Sequence, residues 1–93
     1  MIVRIMGEGQ RELADSHLAE LDRLDDELLG ETESGDEEGF RRTLGALLDA
    51  VRRLGTPLPD DALAPSELIL PGPDATLAEV RRMLSDDGLI PGQ

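Results

Sequence analysis

The chain opens on Ile2-Val3-Arg4-Ile5-Met6, four apolar residues around one Arg, and breaks at Gly7-Glu8-Gly9. β-Branched residues suit a pleated surface, and glycine supplies the positive φ of a tight reversal. This stretch therefore predicts a strand and a hairpin turn, with Gln10 to Ala14 returning. At a period of two, Ile2 and Met6 fall on one face and Val3 and Ile5 on the other, so both faces call for cover. A strand that starts at residue 2 is expected of a native N-terminus.

From Asp15 the apolar period changes. Asp15 and Ser16 are residue types that cap helices, and Leu18, Leu21, Leu24, Leu28 and Leu29 recur at helical steps. Opposite them lie Glu20, Asp22, Arg23, Asp26 and Glu27, with Arg23 and Glu27 spaced to pair one turn apart. This helix should end between Gly30 and Gly35. Ser34-Gly35-Asp36-Glu37 has the Ser-x-x-Glu form of a capping box, and a second stripe follows at Phe40, Leu44, Leu47, Leu48, Val51 and Leu54. Arg52 and Arg53 suit its negative C-terminus and Gly55 its end. Two helices so closely joined predict an antiparallel pair, each about 27 Å long at 1.5 Å per residue.

Between Thr56 and Asp74, Pro57, Pro59, Pro65, Pro71 and Pro73 exclude a helix or a central strand. A linker would be polar, whereas Leu58, Leu63 and the triplet Leu68-Ile69-Leu70 are not, so the segment is expected to wrap the domain, with a short strand at Glu67 to Leu70. Thr76-Leu77-Ala78-Glu79 is a second capping box. Leu77, Val80, Met83 and Leu84 then make a short last helix closed near Gly88, with Leu89 and Ile90 packing back before Pro91. The fold class expected is α+β: an N-terminal β-hairpin packed on an antiparallel helix pair, a Pro-rich wrap and a short C-terminal helix, in a single domain over residues 1–93.

Composition narrows what such a domain can do. Phe40 is the only aromatic residue, so the core is aliphatic and stacking platforms are excluded. With 21 acidic residues against nine basic ones, all Arg, the net charge is −12, which is repelled by nucleic acid. The absence of Cys removes disulfides, thiolate metal sites and cysteine nucleophiles. The apolar opening stops at Gly7, too short for an export signal or a membrane span, so the chain is expected in the cytoplasm.

The search for chemistry returns little. His17 is the only histidine, and a general base needs an oriented partner and a closed site. Asp25-Asp26, Asp60-Asp61 and Asp86-Asp87 are neighbours whose side chains diverge by roughly 100° on a helix, so they do not converge on one ligand. No calcium-loop register is present, and Gly7-Glu8-Gly9 lacks the third Gly and the following helix of a dinucleotide fingerprint. The Arg pairs 41–42, 52–53 and 81–82 are read first as answers to local carboxylates and second as partner contacts. The apolar hairpin is the more informative feature, since its second face and open edges could be satisfied by the wrap, by a second copy or by a partner strand.

Met1-Ile2-Val3-Arg4-Ile5-Met6-Gly7-Glu8-Gly9-Gln10 resembles the opening of the PspA-associated domain family, PspAA. Its later landmarks are similar and in order: Asp36-Glu37-Glu38 before a Phe-led helix, Gly55-Thr56-Pro57 with Pro59-Asp60-Asp61, Pro65-Ser66, Asp74-Ala75-Thr76-Leu77 and Gly88-Leu89-Ile90-Pro91. Where the family often has an aromatic residue after the Gln, this chain has Arg11. The resemblance implies an accessory of phage-shock protein A, the coiled-coil, membrane-remodelling protein that guards the envelope under stress. It supplies no catalytic residues.

The expectation is thus a non-enzymatic, protein-binding accessory without cofactor or metal. Its partner would be a phage-shock protein A homologue, with self-association through the hairpin, no nucleic acid, and membrane contact only through the partner at the inner face. Candidate partner-binding residues are Ile2, Val3, Ile5 and Met6 of the hairpin, Asp22, Asp26 and Glu27 of the first helix, and Leu68, Ile69 and Leu70 of the wrap. An acidic inhibitor or antitoxin-like protein that binds a basic partner is the alternative, and an enzyme subunit the third.

Overall fold

A computed structural model describes residues 1–59 and 65–83. The expectations for Asp60-Asp61 and Leu63, and for everything from Leu84 to Pro91, lie outside the described residues. The hairpin forms as its residues dictate: β1 (Ile2–Ile5) and β2 (Gly9–Glu12) pair antiparallel with Val3 opposite Arg11 and Ile5 opposite Gly9. A 3-10 turn over Asp15–His17 then leads into α1 (Leu18–Ser34). Neither Asp15 nor Ser16 caps it, contrary to expectation, because that turn closes through its own backbone, His17 N–H to Ala14 C=O at 3.1 Å.

Gly35 takes φ 77°, the left-handed conformation that glycine adopts without steric cost, and its N–H bonds the Glu31 carbonyl. The chain reverses there and starts α2 (Glu37–Leu54) almost at once, on Asp36, whose carboxylate accepts from the Gly39 N–H at 3.1 Å. The cap expected on Ser34 is therefore displaced by two residues, and it is one-sided, since Gly39 has no side chain to complete a box. Ser34 still belongs to α1, and its hydroxyl bonds the Glu31 carbonyl. The antiparallel pairing of α1 with α2 is visible in Arg53, at the end of α2, reaching Glu20, at the start of α1, at 3.8 Å.

Two pieces of the Pro-rich stretch join the sheet: β3 (Thr56–Pro57) pairs antiparallel with β2, and β4 (Leu68–Leu70) runs parallel to β1, giving the order β3-β2-β1-β4. Both hairpin edges are thereby occupied within the chain. The outer strands are blunted too, β3 by Pro57 within it and β4 by Pro65 and Pro71 on either side, since proline offers no N–H to a further strand. The second capping box forms as spelled. Thr76 Oγ1 accepts from the Glu79 N–H, the Glu79 carboxylate accepts from the Thr76 N–H, both at 3.1 Å, and α3 (Leu77–Met83) follows.

The core lies between the helices and one sheet face. Val3, Ile5, Leu68 and Leu70 meet Leu21 and Leu28 of α1, Phe40, Leu44, Leu47, Leu48 and Val51 of α2, and Val80 of α3. The deepest seam of α1 is Leu21, Asp25, Leu28 and Thr32, while Leu18, Leu24 and Leu29 are only half-buried. The expected leucine stripe is thus rotated, and two polar residues enter the seam. Thr32 satisfies its hydroxyl on the Leu28 carbonyl at 2.7 Å.

Candidate functional site

Alternation along β1 and β4 decides which predicted residues can meet a partner. Val3, Ile5, Leu68 and Leu70 point into the core and are fully enclosed, and Ile2 is half-buried. Met6 and Ile69 stay on the surface, 54% and 48% exposed, and Met83 of α3 joins them at 42%. These three are the large exposed apolar side chains among the described residues, and all three line one groove of about 680 Å³. Solitary surface apolar residues need no explanation, but three gathered in one concavity do.

Backbone geometry builds that groove. β1 and β4 are parallel, so their C-terminal ends, Met6 and Pro71, emerge side by side, and the Met6 N–H bonds the Leu70 carbonyl at 3.0 Å. The chain then passes so close to β1 that a Cβ on Gly72 would lie 2.9 Å from the Met6 carbonyl oxygen, a space only glycine fits. Pro71 and Pro73 stiffen this wall, and the capping box of Thr76 aims α3 so that Met83 closes the far side. Among the described residues, Asp74 and Glu79 supply the charge of the lining and no cation joins them. Met83 and the prolines as groove walls were not foreseen from the sequence, where Met83 reads as part of a core stripe.

The acidic side of α1 is less uniform than its spacing predicts. Asp26 and Glu27 are exposed, whereas Asp22 is half-buried with Oδ1 enclosed. No ion pair joins Arg23 to Glu27 among the described residues, where the expected helical neighbours stay apart. Arg52 instead binds the Glu8 carboxylate of the hairpin turn, Nε to Oε1 at 2.8 Å, and Asp49 Oδ1 at 2.8 Å. That hydrogen bond holds the Glu8 carboxyl below the usual glutamate value and raises Arg52 above its own. Arg81 donates to the Thr32 carbonyl at 2.8 Å, fastening α3 to α1. Of the Arg pairs, 52–53 thus answers local carboxylates, while Arg41 and Arg42 are exposed.

His17 sits half-buried in the 3-10 turn, and no group of three or more metal-ligating side chains is assembled among the described residues. No helix among them is long and apolar enough to cross a membrane. What the described surface offers is an apolar groove, on a chain whose net charge is −12.

Comparison with known proteins adds the family. No curated protein and no solved structure shows significant similarity to the chain. One family model, described as that of the PspA-associated protein, matches residues 1–92. Essentially the whole chain is covered, in agreement with the motif order from Met1 to Pro91, and the chain belongs to the PspA-associated protein family.

Proposed function

We propose that this protein is a non-catalytic accessory that binds a phage-shock protein A homologue and acts on it as adaptor or regulator in the envelope stress response. The observation that carries this reading is the family match across residues 1–92. The net charge of −12 supports it physically, since a negative field draws in basic coiled-coil segments and speeds encounter. The protein would work at the inner face of the membrane through its partner, without inserting a helix of its own.

The test is a binding measurement against the surface-captured homologue from the same host at low and high salt. Changing the exposed pair Asp26 and Glu27 to Asn and Gln is expected to slow association about two- to fivefold at low salt, with little effect on dissociation. Binding that does not change with salt would remove the electrostatic part. No binding at any salt would remove the partner.

A further inference from the structure

The groove between the C-terminal ends of β1 and β4 and helix α3 is unclaimed by the core, and its chemistry selects an occupant. Two of its three exposed apolar side chains are methionines, whose unbranched, polarisable thioethers adapt to varied apolar shapes. Its walls at Pro71 and Pro73 are stiff, so little backbone order is lost on binding. A small-molecule site would add convergent polar groups to fix orientation. Here the polar side chains of the lining are Asp74 and Glu79, and Glu79 already holds the Thr76 N–H.

Second copies of this chain are a poor fit. Each carries −12, and the sheet edges on either side of the groove's strands are taken or blunted by proline. A chain with an apolar stripe and flanking cations satisfies both features at once: its stripe covers Met6, Ile69 and Met83, and its cations meet Asp74 and Glu79.

We infer that this groove is the docking site for a basic amphipathic helix of the partner protein, held by Met6, Ile69 and Met83 and oriented by Asp74 and Glu79. The inference rests on the partner reading above and names where on this chain the partner sits. Ile69 and Met83 are the apolar anchors; Asp74 selects for Arg or Lys on the incoming helix.

The test uses the full chain and the phage-shock protein A homologue of its host. Ile69→Gln and Met83→Gln alter exposed side chains, so the fold should persist, and circular dichroism checks this. The double variant is expected to raise the dissociation rate roughly tenfold or more, and Asp74→Arg to weaken binding about threefold. Because the chain has no cysteine, Met83→Cys gives a unique handle for a photo-crosslinker. Adducts on a helical segment of the homologue with apolar residues three and four apart and flanking Arg or Lys would support the inference. Adducts on a second copy, on this chain's own residues 84–93 or on no segment of a complex that still forms would overturn it, as would unchanged dissociation of the double variant. If the wild-type chain forms no complex at all, the partner reading fails, and the inference with it.

Discussion

Leu68, Ile69 and Leu70 are neighbours in one apolar triplet, yet in β4 they are 4%, 48% and 0% exposed. β1 repeats the contrast, with Val3 and Ile5 enclosed, Arg4 between them exposed and Met6, just past the strand, open. The two faces of this small sheet thus differ although apolar residues alternate onto both. The inner face supplies cohesion, because α1, α2 and α3 pack on it, and the outer rim leaves apolar surface exposed. Pleat geometry, which turns every second side chain over, is the cause. A one-residue slip of β4 against β1 would exchange the two roles.

That contrast can be broken by substitution, and the largest effect belongs to the inner face. Leu70→Ala should cost about 2 to 5 kcal/mol, since the helices can close only part of the cavity left behind, and Val3→Lys should prevent folding by burying an unpaired charge. Ile69→Ala, one residue away, should stay within about 0.5 kcal/mol. Urea denaturation followed by circular dichroism measures all three, and equal losses at Ile69 and Leu70 would erase the distinction between the faces.

A smaller effect sharpens the placement of α3. Thr76→Ala removes the hydroxyl that accepts the Glu79 N–H and should cost about 1 kcal/mol. Because α3 carries Met83 to the groove, the same variant should weaken partner binding more than its stability loss alone accounts for. Titration of the partner at a temperature where the variant is fully folded separates the two contributions.

The smallest effect concerns the hairpin turn that ends β1. Glu8 has its carboxyl pKa lowered by the hydrogen bond from Arg52, so the contact stabilises the fold above the ordinary glutamate range. That contribution is lost as pH falls through that range to the lowered folded value. Both side chains are partly exposed, and the contribution at neutral pH should be no more than about 1 kcal/mol. Glu8→Gln is expected to lower the denaturation midpoint at pH 7, with the difference from the wild type shrinking as pH falls through and below the ordinary glutamate range. A difference that did not shrink with falling pH would show that charge is not its source.

Local chemistry was legible where near neighbours alone decide a residue's role, and less so at helix ends, where Asp15, Ser16 and Ser34 do not cap. Thr76 and Glu79 form the box their spacing spells, Gly7 and Gly9 turn the hairpin with φ 87° and 94°, and Phe40 to Val51 bury the face their period marks. Ser34 failed as a cap because α1 runs through it, and of the two residues between the helices Gly35 makes the reversal and Asp36 the cap. Asp25 and Thr32 were missed in the α1 seam because a helical period locates a stripe only to within the residues that border it, and the angle at which α1 meets α2 and the sheet decides the rest.

By itself the sequence determined the hairpin, the helix pair, the short strand at Leu68–Leu70, the capped start of the last helix, the family and the acidic charge, since periodicity, turn chemistry, motif order and charge are properties of residues and their spacing. Only the tertiary structure decided that strands from a Pro-rich stretch cover both edges of the hairpin, that Arg52 reaches across the fold to Glu8, and that Met6, Ile69 and Met83 share one groove. Met6 is separated from Ile69 and Met83 by most of the chain, and nothing local links the three. The parallel register of β4 on β1 and the capped start of α3 bring them together, which no pattern along the sequence records.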